Sequence, residues 1–81
     1  MKIQVLYFAS ARDAAGTASE TIDLPEGATV ADAKRLLGAR HPRLELAFAT
    51  IRFAVGERFA PEAQPLESGD VLALIPPVSG G

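Results

Sequence analysis

The chain has no cysteine, a single histidine and no run of basic residues among its 81 positions. Without cysteine there are no disulfides, no thiolate metal ligands and no cysteine nucleophile, and the composition is compatible with a reducing compartment. One histidine excludes a histidine cluster for a metal and leaves any Ser-His-Asp unit resting on His41 alone. Its place between Arg40 and Pro42, at a predicted helix end, reads as an ordinary solvated side chain. Lysine and arginine occur singly or as the one pair Lys34-Arg35, and the net charge is −2, against the basic stripe of a nucleic-acid footprint. No stretch approaches the roughly 20 apolar residues of a membrane span. The apolar run after Lys2 is broken by Gln4 and is too short for a signal-peptide core. There is no GxxxxGK phosphate loop. The acids Asp13, Asp23, Glu26, Asp32, Glu45, Glu57, Glu62, Glu67 and Asp70 are scattered, with no local pair that reads as a metal or acid–base constellation. The expectation is a soluble, cytoplasmic chain with no metal and neither nucleic acid nor membrane as partner, whose side chains carry little catalytic machinery.

What is present is a small globular domain. At 48% hydrophobic and 22% charged the composition is that of a folded protein. A chain of this size buries only about 60% of the surface its unfolded state exposes. Residues 2–9 have strand character, beginning as an alternation and ending as an apolar run, which suits a strand that becomes buried on both faces. Ser10 is placed to cap a short helical turn over 11–15, closed by Gly16. Residues 19–24 form a second strand. Thr29 opens the main helix, with its hydroxyl placed to accept from Asp32 and an apolar stripe at Val30, Ala33, Leu36 and Leu37. Lys34, Arg35 and Arg40 are expected toward water or the helix C-terminus, and Pro42 ends the helix. Residues 43–49 are ambiguous; 50–55 alternate as a third strand, Gly56-Glu57 turns into a short strand at 58–60, and 71–75 form a last, wholly apolar strand.

The two most apolar strands stand at the two ends of the chain, so they are expected as parallel neighbours in the sheet centre. The fold class is α+β: a ubiquitin-like β-grasp over 1–76, a mixed sheet with one main helix across one face, followed by a flexible tail at 77–81. That tail, Pro77-Val78-Ser79-Gly80-Gly81, is the most telling stretch. The prolines are stiff and direct the backbone away from the fold, and two glycines form a thin stalk that enters a channel closed to other residues. Small residues at a frayed end are a simpler account, but two glycines in a given pair of positions arise by chance in roughly 0.5% of chains. The reading makes the Gly81 main-chain carboxylate the reacting group.

Four segments carry a family resemblance: Tyr7-Phe8-Ala9-Ser10-Ala11-Arg12, Gly27-Ala28-Thr29-Val30, Phe53-Ala54-Val55 and, most specific, Pro76-Pro77-Val78-Ser79-Gly80-Gly81. Together they resemble the small, sulfur-carrying subunits of molybdopterin synthase over nearly the whole chain. The internal segments are common to related sulfur carriers, and Gly56 stands where the family commonly has asparagine. The resemblance implies a cycle in which a ubiquitin-activating-like adenylyltransferase spends ATP to adenylate Gly81. A sulfur donor protein then converts it to a thiocarboxylate, and the large synthase subunit takes the tail in and passes the sulfur to a cyclic pterin precursor. The chain itself binds no cofactor in that cycle and is no enzyme alone. The large subunit is expected to dimerise with a carrier at each end, a heterotetramer.

The family likeness also suggests apolar partner contacts at Phe59 and Ile75, with ordinary core as the other reading of each. Phe59 falls in a short edge strand, where a large aromatic is costly unless a partner covers it. Arg12, and after it Lys34 or Arg58, are candidates to meet an acidic partner surface, with solvated surface as the simpler role. The competing functions are a carrier for thiamine, cysteine or tRNA thiolation, a modifier joined to lysines, and a β-grasp scaffold with an inert tail.

Overall fold

Strand β1 (Lys2–Tyr7) points Ile3, Val5 and Tyr7 to one side, where all three are buried. The structure, a computed structural model, describes residues 1–77. Strand β2 (Ser19–Asp23) pairs antiparallel with β1, Ile22 opposite Ile3. On its other edge β1 meets β5 (Val71–Ile75) in parallel, with Val5 opposite Leu72 and Tyr7 opposite Leu74. Strand β3 (Arg52–Val55) runs antiparallel to β5, and β4 (Arg58–Phe59) closes the far edge, giving the order β2-β1-β5-β3-β4. The end strands are therefore the parallel neighbours expected, and the fold is the mixed-sheet β-grasp. Between β3 and β4, Gly56 (φ 57°) and Glu57 (φ 69°) are both left-handed, as a two-residue turn of the twisted-hairpin type requires.

Helix α2 (Val30–Arg40) lies across the sheet, burying Val30, Ala33, Leu37 and Gly38. A Cβ at Gly38 would sit 3.0 Å from the Phe48 ring, so glycine lets that ring close on the helix. The Thr29 hydroxyl accepts from the Asp32 N–H, and the Asp32 carboxylate accepts from the Thr29 N–H, a complete capping box. The remaining first-turn donors are met by the chain before β5: Val30 N–H donates to the Gln64 carbonyl at 3.0 Å and Ala31 N–H to that of Glu62 at 2.9 Å. Thr29→Ala is expected to cost about 1 kcal/mol, read as a lower urea midpoint with an unchanged slope. An unchanged midpoint would show the cap to be idle.

The ambiguous stretch after α2 contains α3 (Pro42–Leu46), whose Leu44 is fully buried. Two expectations are corrected at α1 (Ala9–Ala15). Ser10 does not cap it: the helix starts two residues earlier than expected, with Phe8 in the cap position and no side-chain cap, although Gly16 closes it as expected. Strand β1 also ends at Tyr7 rather than at residue 9, because Ala9 takes a left-handed φ of 48° and turns the chain. Burial on both faces is not found either. The helices cover one side of the sheet only; on the other, Leu6 is half-buried and Phe8 exposed. Among the described residues no helix is long and apolar enough to cross a membrane.

Candidate docking face and tail exit

Side chains alternate across a strand, so the residues between the core positions must point to the uncovered side. The strand register aligns them in a row: Leu6 opposite Ala73, Ala73 opposite Ala54, Ala54 opposite Phe59. Two alanines between larger neighbours leave a dip, a concavity of about 560 Å³ whose walls include Phe8, Phe59, Val71 and Ile75. Phe59 is 55% exposed, Phe8 47% and Val71 40%. Apolar groups gathered in this way mark a surface that another molecule covers.

Phe59 forms a ridge. On its far side lies a second hollow of about 600 Å³ against Phe48 and Phe53, and the Arg52 guanidinium carbon stands 3.7 Å from the centre of the Phe59 ring. Lys34 is not simply turned to water: its ammonium lies 3.4 Å from Glu62 and 5.5 Å from the centre of the Phe48 ring. Ile75 is half-buried on the open face, opposite Arg52. Because β1 and β5 are parallel, their ends coincide: the Phe8 N–H donates to the Leu74 carbonyl at 3.2 Å, and α1 begins where the chain leaves the sheet at Pro76-Pro77. Arg12 is exposed on α1 at this end, Pro77 is exposed just beyond β5, and Arg58 is exposed on β4. The structure thus gathers Phe59, Ile75, the start of α1 and the tail exit about one face. The roles expected of Val78, Ser79, Gly80 and Gly81 fall outside the described residues. Leu6, Phe8, Val71 and Ala73 were not anticipated as face residues. Their signal was an apolar residue at the off-core parity of both central strands.

His41 is corrected from solvated to enclosed, its side chain 16% exposed beside a Glu20 that is 17% exposed. Glu20, unremarked in the sequence, accepts from the Tyr7 hydroxyl at 2.6 Å, from Arg40 at 2.7 Å and from His41 Nε2, which must carry its proton because a carboxylate only accepts. The Tyr7 and His41 rings meet edge to face at 5.9 Å. Burial pushes the Glu20 carboxyl up, but the hydrogen bonds from Tyr7, Arg40 and His41 outweigh it and hold the group below its ordinary range. Burial, then the Glu20 hydrogen bond and charge, push the Tyr7 phenol far up, so it stays a donor. A carboxyl lowered by folding contributes stability above its unfolded value and loses it as pH falls through the folded one. Glu20→Gln is therefore expected to flatten the loss of stability below the unfolded value of 4.5, measured by urea unfolding between neutral and acid pH. An unchanged acid limb would contradict the assignment. These four side chains tie β1, β2 and the end of α2 together. Among the described residues no three metal-ligating groups converge.

The chain matches the ThiS family over residues 5–81. It is 39% identical over 83 residues to the molybdopterin synthase sulfur carrier subunit of Chlamydomonas reinhardtii, covering 100% of both chains. The human molybdopterin synthase sulfur carrier subunit is 35% identical, with 99% of this chain and 94% of that one covered. The crystal structure of SAMP1 from Haloferax volcanii superimposes with a TM-score of 0.91 at 31% identity over 100% of each chain. A match running from the middle of the first strand to Gly81, together with full-length relatives of this similarity, shows that the chain belongs to the ThiS family.

Proposed function

We propose that this chain is the sulfur carrier subunit of molybdopterin synthase. Gly81 is the reacting residue: adenylated with ATP by a ubiquitin-activating-like adenylyltransferase, converted to a thiocarboxylate with sulfur from a donor protein, and discharged onto a cyclic pterin precursor in the large subunit. The observation that supports this most is one of placement. The open apolar face runs along β5 up to the end where the Pro76-Pro77 segment leaves the sheet, so a protein docked on Phe59 and Ile75 receives the tail in the same encounter. A carboxylate is a poor electrophile, and adenylation supplies its leaving group through a covalent intermediate. Gly80 and Gly81 carry no side chains, which suits entry into a narrow channel, and Val78 and Ser79 precede them in the sequence. Arg12, at the tail-exit end, is proposed to face an acidic partner surface. The chain binds no cofactor of its own and is not catalytic alone; the assembly is a heterotetramer of two carriers on a large-subunit dimer.

The test is a titration of thiocarboxylated chain against pterin precursor with the large subunit present. A dithiolene holds two sulfur atoms, so two loaded chains are expected to be consumed per product, with none formed by unloaded chain. One chain per product, or turnover by unloaded chain, contradicts the reading. The likeness to SAMP1, which is a small archaeal modifier protein, favours one second reading, conjugation to lysines of other proteins. Isopeptide-linked adducts formed with the adenylating enzyme, in place of thiocarboxylate, would support it.

A further inference from the structure

The two rims of the open face carry opposite charge. Since β3 and β5 are antiparallel with Arg52 opposite Ile75, Arg52 stands at the end where the tail leaves, lining the hollow beyond the Phe59 ridge, while Glu57, in the β3–β4 turn, lines the apolar dip at the far end beside the start of β5. Both side chains are exposed, and among the described residues neither forms an ion pair; Arg12, Arg43 and Arg58 form none either, so it is the placement of Arg52 and Glu57 at opposite ends of the open face that sets them apart. Arg52 is also held in place, stacked at 3.7 Å on the Phe59 ring. Glu57 is held at a φ of 69°, a conformation in which glycine or asparagine is at ease and a glutamate is not.

We propose that this polarity sets the orientation in which a protein partner docks: the partner carries an acidic side chain where the tail enters it and a basic one at the opposite end of the same apolar contact. A docking reversed along the strands would bring like charges together at both rims, and would point the tail away from the partner's channel. Rim charges act on encounter and wrong-pose rejection more than on the final contact energy. The inference rests on the docking role proposed for this face and adds Arg52 and Glu57 as its orienting residues.

The experiment measures binding of the full chain to the molybdopterin synthase large subunit of the same organism, at low and at high salt. At low salt Arg52→Glu is expected to weaken binding about tenfold and Glu57→Lys several-fold. The double reversal should be weaker than either, and all should approach the unaltered chain at high salt, where exposed charges are screened. Variants that bind like the unaltered chain at every salt concentration overturn the proposal. If Phe59→Asp also binds normally, the docking face itself falls; if Phe59→Asp alone fails to bind, only the polarity does. Sedimentation of the chain alone covers the remaining occupant, because two copies facing each other about a two-fold axis that runs across the strands would set Arg52 against Glu57. A self-dimer broken by either reversal and restored by both would assign the polarity to a second copy and overturn the proposal.

Discussion

Deleting Gly81, or adding a residue after it, is expected to abolish sulfur transfer while leaving the unfolding midpoint of the protein where it was. The two halves of that result have separate physical causes. The buried apolar core runs from Ile3 to Leu74, so a change at residue 81 removes none of its packing. In the proposed cycle, transfer instead depends on one carbonyl carbon. Removing the residue withdraws that carbon from the depth at which the adenylating site and the large subunit act, and an added residue converts the carboxylate to an amide that cannot be adenylated. Positioning errors of this size are costly even where the groups themselves survive. Thermal unfolding and a sulfur-transfer assay on the same preparation check both halves. A truncated chain that still supports dithiolene formation would sink the carrier reading.

Changing Phe59 to aspartate is expected to weaken binding of the large subunit by about 2 kcal/mol or more, roughly a thirtyfold rise in Kd, if the ring anchors the interface. The ring stands at the ridge between two concavities and keeps more than half its surface in water, so its apolar area is free to be buried by a partner. Aspartate would remove that area, place a charge in the contact and draw the Arg52 guanidinium to itself. Phe59→Ser separates these effects, since it loses the ring without adding charge. Loss of binding with an unchanged circular dichroism spectrum and melting temperature is the expected outcome. A variant that simply unfolds would show the ring to be core.

Helix α2 and its start were legible because the signals are local: Thr29 and Asp32 are three residues apart, and Val30, Ala33 and Leu37 repeat at the helical period. The adjacency of β1 and β5 was legible from their apolarity, and their parallel sense from the chain entry and exit points of the hairpin and helix that separate them. The same apolarity misled on burial. A strand covered on both sides and a strand with one core face and one docking face have the same composition, and only the absence of a second covering layer tells them apart. Glu20 and His41 were missed because they are far apart in sequence and meet only once β2 pairs with β1 and α2 crosses the sheet. Ser10 looked like a cap since its residue type suits one. Ala9 takes the turn instead, and that left-handed alanine has no sequence signature.

The central claim is that sulfur rides on the Gly81 carbonyl. Intact-mass spectrometry of the chain isolated from cells, with fragmentation to locate any change, tests it most directly. The account predicts a fraction of molecules heavier by the difference between one sulfur and one oxygen atom, with the change confined to Gly81 and absent from cells lacking the adenylating enzyme. A chain that carries only an unmodified carboxylate at Gly81, in cells actively making the cofactor, would contradict it.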